Sequence, residues 1–248
     1  MIEVRALACR LPGASADALR GVTLSLRPGE TVALMGANGS GKTTLARSLN
    51  GLLAPSAGTV TVDGRSTSVP DDVPAIRRAV GLVFQDPAAQ ITSPTVEREI
   101  AFGLQNHGTP PSELHARLEA ALRTHRLEHL RHRSPATLSG GEMQRVAVAA
   151  VMALSPRYLV LDEATSLLSA ASRRDLLDRV AEARRQEGIG VLLITQFGAE
   201  ALAADRLLVL DRGAVAAEGT PAEVFARAGL LASLGVAVPF RLQLEARR

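Results

Sequence analysis

The chain has 248 residues, 46% hydrophobic and 21% charged, which is enough to bury a sizeable core and excludes a disordered or fibrous polymer. Lys plus Arg number 28 against 25 for Asp plus Glu, and the basic residues are scattered except in short clusters such as 125–133, so nothing points to a nucleic-acid partner. A single cysteine, Cys9, excludes an internal disulfide framework and suits a reducing cytosol.

The opening stretch, 1–13, has no basic leader followed by a long apolar segment, so it reads as a first strand rather than a signal peptide. β-Rich stretches at 2–7 and 22–26 precede a Pro28-Gly29 turn and a buried-looking apolar run at 31–35. A Gly-rich loop, 36–44, and helical character over 44–53 complete a strand–loop–helix order. A β-turn region is expected at 59–64.

From residue 87 to about 153 apolar residues recur at helical spacing, Val96, Ile100 and Leu104, then Leu114, Leu118 and Leu122, predicting a helical subdomain over 88–153. Ser93 is the expected N-cap of its first helix, with Pro94 at the first helical position and Glu97 and Glu99 near the positive end of the dipole. The longest apolar run, 146–154, is far short of the ~20 residues that cross a bilayer, so a membrane role is expected only through a partner. Strands return at 158–161 and 191–195, and a helix over 170–186 between them reads as a βαβ crossover in a parallel sheet. A hairpin follows, 207–210 and 214–217 around a turn at 211–213.

Three segments carry chemistry. Gly36-Ala37-Asn38-Gly39-Ser40-Gly41-Lys42-Thr43 fits G-x-x-x-x-G-K-[ST] at every fixed position, with Thr44 opening the next helix. Glycines let successive backbone N–H groups turn toward a phosphate, and the helix N-terminus adds partial positive charge. Lys42 is expected to reach the β and γ phosphates and the Thr43 hydroxyl to ligate magnesium; the competing reading is a plain Gly-rich turn.

The second segment, 158–163, is a short apolar strand ending in Asp162 and Glu163. Strand alternation sends the two carboxylates to different faces. Asp162 is the candidate to hold magnesium or its water and Glu163 to orient the attacking water, against the bland alternative of an exposed acidic turn. The third is 138–145, in which Ser139, Gly140 and Gly141 open an amphipathic helix. A Ser hydroxyl and bare amides at a helix start make an anion site. An N-cap explains Ser139 but not two glycines, which cost helix stability; close approach of a ligand or a second chain explains them better.

These segments, GANGSGKTT, LSGGEMQRVAVA and YLVLDEATS in that order, resemble the Walker A, signature and Walker B motifs of ATP-binding cassette (ABC) ATPases, with the likeness running over about 2–225. The resemblance implies two cassettes packed head to tail, each ATP lying between one chain's Walker A and the other's signature. It assigns Gln85 to the Q-loop, near magnesium and the catalytic water and beside the groove for the transmembrane partner. The continuation 86–90, Thr95-Val96-Glu97 and Ala101-Phe102-Gly103 is similar to the ATPases of energy-coupling factor (ECF) importers, which take up vitamins and transition-metal ions. The stretch 219–225, with Leu230-Leu231 and Val238-Pro239, resembles that group's C-terminal dimer contact.

Three positions depart from the family. Gln196 stands where the family has its switch histidine, Ser169 where the D-loop usually has Asp, and Cys9 or Leu11 where an aromatic stacks on adenine. Gln can donate a hydrogen bond but cannot become a cation near neutral pH.

The expectation is an α/β P-loop NTPase of ABC type: a RecA-like parallel core, an antiparallel β subdomain and an inserted helical subdomain, over 1–235, with a tail at 236–248. Its function is expected to be ATP hydrolysis, with magnesium, at the cytoplasmic face of the membrane as a peripheral subunit. Its expected partners are a second ATPase subunit, a heterodimer being favoured over a homodimer, a transmembrane coupling subunit and a substrate-binding membrane subunit. Catalysis falls to Glu163, Gln85, Gln196 and Lys42, and nucleotide binding to Gly36, Asn38, Gly39, Ser40, Gly41, Lys42, Thr43, Thr44, Ser139, Gly140 and Gly141. The metal falls to Thr43, Gln85 and Asp162. A soluble ABC-type switch and a non-hydrolysing nucleotide-binding subunit are the alternatives.

Overall fold

The computed structural model describes residues 1–239 and 242; the other residues of the expected tail, 240, 241 and 243–248, lie outside the described residues. The chain opens with two long strands, β1 (Ile2–Arg10) and β2 (Asp17–Leu26), followed by β3 (Thr31–Met35) and, after the glycine loop, α1 (Lys42–Leu49). A hairpin of β4 (Ala57–Val62) and β5 (Arg65–Ser66) comes next, then α2 (Val73–Ala79) and β6 (Val80–Val83). Three helices follow, α3 (Val96–Asn106), α4 (Pro111–Thr124) and α5 (Gly140–Met152). The chain continues as β7 (Tyr158–Asp162), α6 (Ala170–Glu187), β8 (Gly190–Ile194), the short α7 (Gly198–Ala201), β9 (Arg206–Asp211) and β10 (Ala214–Gly219), followed by α8 (Pro221–Phe225) and α9 (Ala228–Ser233).

Two sheets result. The smaller is antiparallel, in the order β2-β1-β4-β5. The larger runs β10-β9-β3-β8-β7-β6; β9, β3, β8, β7 and β6 are parallel, and β10 folds back antiparallel on the edge. The parallel strands are covered on both faces, and side chains two apart share a face. Tyr158 and Val160 of β7 join Leu192 and Ile194 of β8 in the core that also takes Leu34 and Leu45. Leu159 and Leu161 join Val191 and Leu193 on the other face, under Leu176 and Val180 of α6. The helices α3, α4 and α5 build their own core from Val96, Ile100, Leu104, Leu118, Leu122 and Val146.

Three local expectations are corrected, at 44–53, 59–64 and 93–94, and the surroundings of the 219–231 stretch are described after them. The first long helix starts at Lys42 and stops at Leu49, because the amides of Leu52 and Leu53 turn back to the carbonyl of Arg47 (2.9 and 3.3 Å). The 59–64 stretch is most of β4 plus the Asp63-Gly64 turn; both turn residues have positive φ (49° and 82°), the geometry that suits a two-residue hairpin. Thr95, not Ser93, caps α3, accepting from the Arg98 amide, and Pro94 lies outside the helix. The Ser93 amide is taken instead by the buried Glu99 carboxylate, which also accepts from Thr92 (2.8 and 3.0 Å). In the 219–231 stretch, Phe225 and Leu231 pack into the chain's own core, while Leu230 remains exposed. Among the described residues no helix is long and apolar enough to cross a membrane.

Candidate active site

The strands β3, β8, β7 and β6 are parallel neighbours, so their carboxyl ends lie along one edge of the sheet, where ligands of open α/β folds bind. Each strand delivers one part of the site to that edge. The glycine loop leaves β3, Gln196 follows β8, Asp162 ends β7 with Glu163 just beyond it, and Gln85 follows β6.

The loop is held by the β9–β10 turn. Gly213 donates its amide to the Ser40 carbonyl (2.9 Å), and a Cβ on Gly36 would fall 2.2 Å from the Leu210 carbonyl oxygen, at a φ of +150° open only to glycine. Gly41 sits at φ +107°, where a Cβ would meet the Ala18 carbonyl at 2.7 Å. Lys42 is 5% exposed, and its Nζ donates to the carbonyls of Gly36 (2.9 Å) and Ala37 (3.1 Å) and stands 3.5 Å from Glu163 Oε1. It is the only lysine in the chain; every other strongly basic side chain is arginine. A compact ammonium fits between those carbonyls where a planar guanidinium does not.

Glu163 has φ +50°, so β7 ends at Asp162 and the strand alternation that would send the two acids to different faces no longer applies. Instead Glu163 turns onto Lys42, and Asp162 meets the Thr43 hydroxyl, so both carboxylates serve the loop. Glu163 Oε2 accepts from Gln196 Nε2 at 2.6 Å and from Gln85 Nε2 at 3.2 Å. Burial pushes the pKa of Asp162 up, with the neighbouring Glu163 charge acting in the same direction; the Thr43 hydroxyl and Lys42 oppose it.

Asp162 Oδ1 is buried without a hydrogen-bond partner. A hard oxygen donor left free beside a hydroxyl fits magnesium, which takes one or two protein oxygens and fills its other positions with phosphate and water.

A cleft of about 400 Å³ is lined by Asn38, Gly39, Gly41, Lys42, Thr43, Thr44, Gln85, Glu163 and Gln196, with Leu11 and Ala18 at its apolar end. Gly36, Ser40 and Asp162 are not among its walls; Ser40 and Asp162 are 3% exposed, and the Gly36 carbonyl accepts from Lys42 Nζ. Cys9 is not there either: it is fully buried, with its sulfur 3.2 Å from Ser48 Oγ, so of the two residues expected where the family's aromatic stands only Leu11 reaches the cleft.

Ser139, Gly140 and Gly141 also lie outside this cleft. Ser139 caps α5 in a reciprocal box: its hydroxyl accepts from the Glu142 amide and donates to Glu142 Oε2 (3.3 and 2.7 Å), while its own amide donates to the same oxygen (2.8 Å). A Cβ on Gly140 would meet nothing within 4 Å, so packing within the chain does not require glycine there.

Sequence reasoning missed the clamp on Phe84, the residue before Gln85. Gln90 Oε1 accepts from the Phe84 amide (3.0 Å), and Gln144 Nε2, from the helix opened by Ser139, donates to its carbonyl (3.4 Å). Ser139-x-x-Glu142 was a legible capping signal; Gln144, fully buried on α5, carried none. Ser169 has a local role too, capping α6 by accepting from the Ser172 amide.

Residues 19–166 match the ABC transporter family. The energy-coupling factor transporter ATP-binding protein EcfA1 of Lactiplantibacillus plantarum is 44% identical over 248 residues, which covers 99% of this chain and 88% of that relative. Among solved structures, cbiO1 from Clostridium perfringens, part of the ABC transporter complex cbiONQ, matches with a TM-score of 0.81 at 30% identity, over 99% of this chain and 98% of that one. A dimeric post-hydrolysis state of the ATP-binding cassette MJ0796, bound to ADP and Pi, matches with a TM-score of 0.81 at 26% identity, over 89% of this chain and 99% of that one. With its glycine loop, two carboxylates and two glutamines gathered at one sheet edge, the chain belongs to the ABC transporter ATPases, among the energy-coupling factor ATP-binding proteins.

Proposed function

We propose that this chain hydrolyses ATP with magnesium to power an energy-coupling factor importer of a vitamin or transition-metal ion, as the slower half of a heterodimeric ATPase pair. The reading rests above all on one observation: Lys42, Gln85, Glu163 and Gln196 meet in a single cleft over the glycine loop. The loop amides bind phosphate oxygens, and Lys42, aimed by the Gly36 and Ala37 carbonyls, neutralises charge on the β and γ phosphates. Thr43, Asp162 and Gln85 would hold magnesium, which when bound offsets phosphate charge and orients the oxygens for in-line transfer. Glu163 orients the attacking water and accepts its hydrogen bond, while Gln85 and Gln196 hold the carboxylate in place. Positioning and charge neutralisation supply most of the rate, since a carboxylate is a weak base.

Ser139, Gly140 and Gly141, which do not line the chain's own cleft, serve nucleotide bound by a second cassette, and the open space around Gly140 supports that use. The names of the relatives, an energy-coupling factor transporter ATP-binding protein and a part of the ABC transporter complex cbiONQ, support partners in a transporter complex; we take these to be a transmembrane coupling subunit and a substrate-binding membrane subunit, with this chain peripheral on the cytoplasmic face. The heterodimer reading rests on Gln196 in place of histidine, Ser169 in place of aspartate, and a base shelf made of Leu11 and Ala18 without an aromatic.

Phosphate release from the complex reconstituted with its membrane partners tests this. Gln196→His should raise turnover, and Glu163→Gln should lower it without abolishing it, because the partner's site persists. No gain from the first together with complete loss from the second would overturn the slower-half reading.

A further inference from the structure

We propose that Glu200 is a positioning residue for hydrolysis, its buried carboxylate tying the loop that carries Glu163 to the loop that carries Gln196 and so fixing the contact between them. The inference rests on the hydrolytic reading of Glu163 given above. Glu200 follows Gln196 by one turn, in α7, and is 6% exposed. Its Oε2 accepts from Thr195 Oγ1 at 2.5 Å and from Thr165 Oγ1 at 3.0 Å. Thr195 immediately precedes Gln196, and Thr165 lies two residues beyond Glu163. The Thr195 hydroxyl in turn accepts from the Phe197 amide (3.0 Å), so the residues on both sides of Gln196 are pinned.

Arg173 of α6 closes the cluster from the other side. Its guanidinium forms an ion pair with Glu200 Oε1 at 3.5 Å, lies 3.5 Å from the centroid of the Phe197 ring, and donates to the Leu168 carbonyl at 3.4 Å. Through Thr165, Thr195 and Arg173, one carboxylate thus ties the loop after Glu163 to the residues that flank Gln196. Burial pushes the pKa of Glu200 up, and the Thr195 and Thr165 hydroxyls and Arg173 pull it back.

A buried carboxylate costs stability unless it is paired, and most such networks serve the fold alone. The position of this one makes a kinetic role specific. Glu163 is held in the left-handed region at φ +50°, and its Oε2 meets Gln196 at 2.6 Å, so a small shift of either loop breaks the contact. Nothing in Glu200 touches the cleft; its effect passes through Thr165 and Thr195.

The test measures kcat and KM for magnesium-ATP in the reconstituted complex, with wild type, Glu200→Ala, Glu200→Asp and Gln196→Ala, the last alone and combined with Glu200→Ala. Glu200→Ala should lower the kcat attributable to this site about tenfold, while KM moves less than about twofold. Glu200→Asp should recover part of the loss, and Glu200→Ala should add nothing to Gln196→Ala, because both break the same contact. An unchanged kcat, or losses that multiply in the double variant, would overturn the proposal and leave a fold-only role. Should Glu200→Ala fail to fold, Thr165→Val removes one tie and keeps the Arg173 pair, and the same split of kcat from KM decides. If wild type shows no turnover, the hydrolytic reading fails on its own. Hydrogen exchange then decides the tie: Thr165→Val should speed exchange in 163–169 and 195–198 together, and unchanged exchange would overturn it.

Discussion

Gln196 Nε2 stands 2.6 Å from Glu163 Oε2, a neutral donor on the carboxylate that faces the glycine loop. An amide does not titrate, so residue 196 gives wild-type activity no pH-dependent limb near neutrality. Gln196→His should add one, displaced above the ordinary imidazole value of about 6.5 by the adjacent Glu163 carboxylate. Phosphate release across about pH 6 to 8 checks this. Superimposable wild-type and variant profiles would mean that the contact does not bear on turnover.

The single lysine invites a charge-conserving test. Lys42→Arg keeps the cation but places a planar guanidinium where Gly36 and Ala37 present two carbonyls to a compact ammonium. ATP affinity should fall at least tenfold, about 1.4 kcal/mol or more, in equilibrium titration, despite the retained charge. Equal affinity would show that charge alone matters at this position.

Gly36 and Gly140 should respond in opposite ways. A Cβ at Gly36 would collide with the Leu210 carbonyl, so Gly36→Ala should destabilise the chain by about 2 kcal/mol or more in urea unfolding. At Gly140 there is open space in a helical first turn, so Gly140→Ala should leave the isolated chain as stable or raise its stability by up to about 1 kcal/mol. The same substitution should lower turnover of the assembled pair, because in the proposed arrangement the added methyl would meet the second cassette's nucleotide. Full activity with Gly140→Ala would remove the reason offered for the two glycines.

His125, 5% exposed, has its pKa pulled down to about 4, first by burial and then by Arg179. The unfolded chain, with an imidazole near 6.5, therefore takes up the proton first as pH falls. This residue costs no stability above about pH 7. Its cost grows between about pH 6.5 and 4, reaching about 2 kcal/mol at pH 5 and about 3 kcal/mol below pH 4. Urea unfolding at pH 7 and pH 5 checks it: wild type should lose about 2 kcal/mol more than His125→Leu over that interval. Equal losses would place the protonated imidazole in water.

Much of the site was legible because its chemistry is local in sequence. The glycine loop, the strand ending in Asp162-Glu163 and the Ser139-Gly140-Gly141 helix start each occupy fewer than about ten residues and carry their own turn and cap signals. The order of strands was only partly legible: β6, which delivers Gln85, is four residues long and fully buried, so it shows no alternation to read. The direction of Glu163 was misread because one positive φ ended the strand one residue early. Motif position alone does not separate Cys9 from Leu11 as the residue standing where the family has its aromatic; the shifts in register between β1 and β2 send Cys9 into the core. Long-range polar ties such as Glu200 with Thr165, 35 residues apart, leave no local trace.

Titration of the purified chain with ATP, with and without magnesium, bears most directly on the claim that the cleft over Lys42 grips nucleotide phosphates. The expected result is saturable binding that strengthens with magnesium and is lost in Lys42→Ala, with Asp162→Asn keeping affinity but losing most of the magnesium effect. Binding that is absent, indifferent to magnesium or unchanged in Lys42→Ala would contradict it.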